Sequence, residues 1–166
     1  MDDTASVRAS ALARLEALVG DWTEQVNLPG TPAGRMSVGW ILDGQFLIQR
    51  SQIPGPDFPD SVAVIAVTPD GTGYTQHYFD SRGVVRTYAM TLDQHTWTLL
   101  RDRPDFTPLH FAQRFTATFT TDGNTITATW ESSDDGEQWH KDFDLIYTRI
   151  PATAGAPAGQ EGNQTP

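Results

Sequence analysis

Arginine and tyrosine are the side chains in this sequence best suited to holding a ligand, and residues 78–90, Tyr-Phe-Asp-Ser-Arg-Gly-Val-Val-Arg-Thr-Tyr-Ala-Met, crowd them together. A guanidinium turned away from water cannot shed its proton, so it must meet an anion or a strong acceptor. Arg50, Arg86 and Arg149, with Tyr78, Tyr88 or Tyr147 donating from their hydroxyls and Gln76 close by, can hold a carboxylate, an enolate or another polar head. Aromatics such as Trp40, Trp97 and Phe115 would then cover an apolar remainder. The competing reading pairs the same arginines with Asp or Glu at a rim and leaves the tyrosines as ordinary core. Asp80-Ser81-Arg82-Gly83 has the residues a hairpin turn demands, with a gating loop as the functional alternative.

These side chains need elements to aim them. Leu12, Leu15, Leu18 and Val19 recur at the three- and four-residue spacing of one buried helical stripe, which predicts a short helix over 10–19 with Gly20 as its stop. Beyond Asp21 the period changes to two, and Gly, Pro, Asp and Ser turn signals recur about every eight to twelve residues. Between them lie candidate strands at 22–28, 35–42, 45–53, 61–67, 74–79, 84–91, 96–101, 110–119, 125–132 and 139–150. The connections are short, so successive strands are antiparallel neighbours. The fold class is therefore all-β, an antiparallel meander of eight to ten strands closed into a barrel, which removes the edges, with the leading helix capping one end. About ten strands leave a lumen wider than one small ligand needs.

Residues 10–150 form a single domain in this reading, with 1–9 a flexible N-terminus and 151–166, rich in Pro, Gly and Ala, a disordered tail. Strand alternation assigns the faces. It turns inward Tyr74, Gln76 and Tyr78; Val84, Arg86, Tyr88 and Met90; Phe111, Gln113, Phe115, Ala117 and Phe119; Met36, Val38, Trp40 and Leu42; Phe46, Ile48, Arg50 and Gln52; and Trp139, Phe143, Leu145 and Tyr147. Pro-Asp-Phe occurs twice, at 56–58 and 104–106, which reads as shared turn chemistry rather than a repeat.

The formal charge of −10 argues against a nucleic-acid backbone or an anionic membrane surface as partner. Cysteine is absent, which excludes disulfides and thiolate metal sites. The acidic N-terminus lacks an apolar signal core, so the expected location is cytoplasmic and away from membranes. His77, His95, His110 and His140 have no metal-binding spacing, and no phosphate cradle, nucleophile elbow or dinucleotide fingerprint is present. The acidic stretch from Glu131 to Glu137 reads as solvated turn.

"LEALVGDWTEQVNLPG", "WILDGQFLIQR" and the closing "FDLIYTRI" together resemble an uncharacterised bacterial family of calycin-like barrels, similar in outline to fatty-acid-binding proteins and nitrobindins. The resemblance spans residues 15–149 and supports fold more than function. It implies that Trp22, in Gly20-x-Trp22, plugs the bottom of the barrel with Arg149 beside it. Nitrobindin-like proteins hold haem through a late-strand histidine, for which His140 is the one candidate here, and its phase points outward; His77 and His95 become inner candidates only if a bulge shifts the phase. The leading expectation is a lumen that binds a small apolar or amphipathic molecule, anionic ones included, without a cofactor. The alternatives are a cofactor-free isomerase or cyclase using Tyr78, Arg86 or Tyr88, a haem carrier, and a filled barrel serving as an interaction module. A homodimer is compatible with each.

Overall fold

The structure, a computed structural model, describes residues 3–152, so the tail expected to be disordered lies outside the described residues beyond 152. Helix α1 (Asp3–Arg14) runs into a 3-10 turn (Leu15–Leu18), and ten strands follow. They are β1 (Gly20–Val26), β2 (Gly34–Ile41), β3 (Phe46–Gln52), β4 (Ser61–Val67), β5 (Tyr74–Asp80), β6 (Val85–Leu92), β7 (Thr96–Arg101), β8 (Ala112–Phe119), β9 (Thr125–Ser133) and β10 (His140–Arg149). Each strand pairs antiparallel with its sequence neighbours, and β10 returns to pair with β1, from Trp22 opposite Arg149 to Val26 opposite Leu145. The meander thus closes, and no strand keeps an open edge. No helix among the described residues is long and apolar enough to cross a membrane.

The helix starts at Asp3, earlier than the apolar stripe predicts, with an acidic residue in the first turn where the backbone N–H groups favour it. Ala11 of the helix and Leu15 and Leu18 of the 3-10 turn are buried and cover one end of the barrel, where the Tyr74 hydroxyl donates to the Ala11 carbonyl at 2.7 Å. At that end Trp22 is fully buried, its Nε1 donates to the Leu18 carbonyl at 3.0 Å, and the Arg149 guanidinium lies over its ring at 4.1 Å. Gly20 has φ +131°, and a Cβ there would stand 2.8 Å from Arg149 Nη1. Only glycine allows that backbone to pass.

The hairpins at the helix end are short. The opposite end carries the two long Pro-Asp-Phe connections, after β3 and after β7, and forms the mouth. The two copies play different parts. Phe58 packs edge-on against Phe143 with ring centroids 5.5 Å apart, whereas Phe106 is 79% exposed and Asp105 is buried. Asp105 makes a bidentate ion pair with Arg101 at 2.9 and 3.2 Å and accepts the Thr87 amide at 2.9 Å. The β6–β7 ladder ends at Ala89 and Leu100, so the carboxylate takes over where strand pairing stops. The Arg101 hydrogen bond, helped by three further donors, holds the Asp105 carboxyl well below the usual range.

One expected phase is overturned, on β3, and one is broken part-way, on β10, where Phe143, Leu145 and Tyr147 do face the lumen. On β3 the inward residues are Leu47, Gln49 and Ser51, so Phe46, Ile48, Arg50 and Gln52 face out. Both faces of this strand are mixed, and its neighbour decides the matter: Leu47 stands opposite Ile65, both fully buried. On β10 a bulge between Lys141 and Phe143 reverses the alternation. Trp139 therefore lies outside, stacked on Arg114 at 4.2 Å, while Asp142 comes to the mouth. Leu42 leaves the expected inward set as well, because it sits in the β2–β3 turn with φ +51° and is 70% exposed.

Candidate functional site

The lumen is open. A cavity of ≈ 590 Å³ runs inward from the mouth, and Gln76, Tyr78, Arg86, Tyr88, Trp97, Phe115 and Tyr147 all line it. The other two expected site residues lie elsewhere. Arg50 is exposed on the outer wall. Arg149 is spent on the closed end, where Nη1 donates to the Val19 carbonyl and Nη2 to the Ala17 carbonyl at 2.9 Å.

One wall of the cavity is a continuous run of rings. Tyr78 meets Tyr88 at 6.4 Å between centroids, Tyr88 meets Trp130 at 5.7 Å, Trp130 meets Phe115 at 5.0 Å, Phe115 meets Trp97 at 4.7 Å, and Trp97 meets Tyr147 at 6.3 Å. The angles are edge-on or tilted, the arrangement aromatic pairs prefer over stacked faces. The run joins the mouth to the floor because β5 and β6 bring Tyr78 and Tyr88 inward near one end, while Trp97 opens β7 at the other.

Polar groups interrupt this wall at four levels. At the mouth, Asp80 at the β5 end accepts from the Arg82 amide at 2.9 Å, from Arg82 Nη2 at 2.7 Å and from the Tyr78 hydroxyl at 2.9 Å. Burial alone would raise this carboxyl, but those hydrogen bonds outweigh it and bring it below its ordinary value. Asp80 thus does hairpin work, and it neutralises Arg82. Tyr78 is pushed far up, by burial first and by Asp80 second, which makes it a poor proton donor. Asp57, Asp134 and Asp142 also line the mouth.

Arg86 stands at the next level, half-buried, with its guanidinium 5.5 Å from the centre of the Phe111 ring. Among the described residues it makes no ion pair. Tyr88 beside it donates to Gln113 Oε1 at 2.9 Å, and burial raises its phenol although the Arg86 charge pulls the other way. Deeper still, the Gln76 amide donates to Gln49 Oε1 at 3.3 Å.

Glu24 lies deepest on the β1 wall and is 6% exposed. The Ser51 hydroxyl donates to its carboxyl, and Tyr147 stands opposite it across the β1–β10 pair. No Arg, Lys or His forms an ion pair with it among the described residues. Burial pushes the Glu24 carboxyl up, and the two neutral hydroxyls offset this only in part. Tyr147, fully enclosed, is raised well above an ordinary phenol. Trp97 is 1% exposed, and its Nε1 has no hydrogen-bond partner among the described residues.

Glu24, Gln49, Ser51 and Trp130 are cavity residues that sequence reasoning missed. The signal for Glu24 was available: if Trp22 plugs the barrel, alternation through Trp-Thr-Glu-Gln-Val turns Glu24 and Val26 inward with it. None of the four histidines is among the residues that line the cavity.

Fold and cavity together define a class: a closed ten-stranded antiparallel meander barrel with one short leading helix, consistent with a calycin-like fold, around a lumen with a buried aromatic cluster. No model of a known protein family matches the chain, and no curated protein matches it.

Proposed function

We propose that the protein binds a small amphipathic molecule in the barrel lumen, with an acidic or acceptor group on Arg86 and an apolar body along the ring wall. The observation that carries this is Arg86 itself, a lumen guanidinium without an ion pair among the described residues, at the edge of a ≈ 590 Å³ cavity. A half-buried guanidinium gains a charge-assisted, bidentate partner when a carboxylate enters. A volume of this size suits a drug-sized ligand, and the mixture of many apolar walls with few convergent polar groups is typical of such sites. The enzyme alternative draws less support, because Tyr78 and Tyr88 are both shifted away from acidity.

The test is a titration with 4-ethylphenylacetate, followed by tryptophan fluorescence, since Trp97 and Trp130 line the cavity. Replacing Arg86 with Leu should weaken binding about 10-fold or more while leaving the urea midpoint nearly unchanged. Equal affinity in R86L would remove Arg86 from the site.

A further inference from the structure

Two glutamines meet inside the lumen. Gln49 on β3 and Gln76 on β5 reach each other across β4, where the small Ala63 stands opposite Gln49, and the Gln76 amide donates to Gln49 Oε1 at 3.3 Å. Gln76 is 3% exposed, Gln49 is half-buried, and both line the cavity. Neither amide makes another side-chain hydrogen bond among the described residues. A primary amide has two N–H donors and an oxygen with two lone pairs, so a pair joined once keeps a free N–H and a free carbonyl lone pair whichever way each amide is turned. Among the described buried and half-buried residues, Trp97 Nε1 is the one side-chain N or O atom both sealed and unpartnered, so the spare atoms of the two amides keep open surface. On side chains that point into the lumen, that surface belongs to the cavity.

The pair thus offers a donor and an acceptor side by side. Bare hydrocarbon resting there would cut both off from water and give neither a partner. A carboxylate can only accept, and it would face the Gln76 carbonyl; an ammonium can only donate, and it would face the Gln49 N–H groups. A hydroxyl does both with one atom. Strand register fixes its place relative to Arg86. Gln76 stands opposite Tyr88 and Tyr78 opposite Arg86, so Gln76 and Arg86 are diagonal neighbours on the inner face, about 7–8 Å apart. One small molecule spans both.

Resting on the binding function proposed above, we infer that the ligand carries a hydroxyl group on its body, held jointly by the Gln49 and Gln76 amides. The hydroxyl donates to the spare amide carbonyl and accepts from the spare N–H. The ligand is then a hydroxylated amphipathic molecule. Its acidic or acceptor group meets Arg86 on β6, its hydroxyl edge turns toward β3 and β5, and its apolar face lies against Tyr88 and Trp130 of the ring wall.

Three probes of one shape that share one carboxylate separate the two claims: 4-ethylphenylacetate, 4-methoxyphenylacetate and 4-(hydroxymethyl)phenylacetate, each titrated by tryptophan fluorescence. The hydroxymethyl probe should bind about 5- to 10-fold tighter than the ethyl probe, the gain of a well-made buried hydrogen bond. It should also outdo the methoxy probe, which accepts but cannot donate. A purely apolar seat reverses the order, because it favours the ethyl group several-fold. Gln49→Met and Gln76→Met keep an unbranched side chain and remove the amide. Both residues line the site, so each variant is expected to change the affinity for every probe, and the readout is the preference for hydroxymethyl over ethyl, which should disappear or invert. In the wild-type chain, the side-chain amide ¹⁵N–¹H resonances of Gln49 and Gln76 should shift more with the hydroxymethyl probe than with the ethyl probe, and they carry the test if a variant fails to fold. No hydroxymethyl preference in the wild type, a methoxy probe that binds as tightly, or a preference that both variants leave intact would overturn the inference while lumen binding stands. If no probe binds, the binding proposal falls, and this inference with it.

Discussion

Replacing Glu24 with Gln should stabilise the ligand-free protein at neutral and alkaline pH and not at pH 4. The carboxyl is 6% exposed, accepts the Ser51 hydroxyl, has Tyr147 opposite it across the strand pair, and makes no ion pair among the described residues. Its pKa is raised by burial, so between the unfolded value of about 4.3 and the folded value the native state binds the extra proton. Wild-type stability therefore falls as pH rises through that window, by up to about 1.4 kcal/mol per pH unit. Gln keeps an oxygen for the Ser51 hydroxyl and has no charge to bury. At pH 8 the variant should be more stable by about 1–3 kcal/mol, the scale of a buried polar group imperfectly satisfied. Tyr147 is raised too far to titrate in this range, and other carboxylates act alike in both proteins, so they cancel in the difference. Urea unfolding at pH 4, 5, 6, 7 and 8 reads the effect as a midpoint difference that grows with pH at constant slope. A variant less stable at pH 8, or a difference independent of pH, would refute the reasoning and mean that the hydrogen bonds to the carboxylate outweigh its desolvation.

Other perturbations test the frame around the cavity. Asp105→Asn leaves Arg101, 4% exposed, without its counter-charge and should cost about 3 kcal/mol at pH 7, measured by urea unfolding. Because the Asp105 pKa is lowered, its contribution is complete above about pH 3.9 and disappears as pH falls through the folded value, so the variant should lose part of the wild type's acid sensitivity; a cost below about 1 kcal/mol would contradict the pair's role. Gly20→Ala adds a Cβ 2.8 Å from Arg149 Nη1 at a backbone φ of +131° and should cost about 1–3 kcal/mol, seen as a lower Tm. An unchanged Tm would mean that Arg149 is free to give way.

What the sequence made legible follows from how unequal the two faces of each strand are. On β5 and β6 the sets Tyr74, Gln76, Tyr78 and Arg86, Tyr88, Met90 outweigh their neighbours in bulk, and those are the residues turned inward. On β3 one alternating set is Phe, Ile, Arg, Gln and the other is Leu, Gln, Ser, so bulk pointed the wrong way; the deciding contact, Leu47 with Ile65, is between strands and invisible in a single segment. The β10 bulge is likewise a register event between β9 and β10, with no glycine or proline in the strand to announce it. Glu24 escaped notice because a lone acidic residue in an amphipathic strand reads as solvent-facing until the phase is set by Trp22.

The central claim is that the lumen holds a small molecule, and native mass spectrometry tests it most directly. The protein, purified without refolding, would be measured as isolated and again after incubation with 4-ethylphenylacetate. The account predicts a bound small molecule that leaves on denaturation, with the added probe bound one per chain. A bare chain mass in both samples would contradict it.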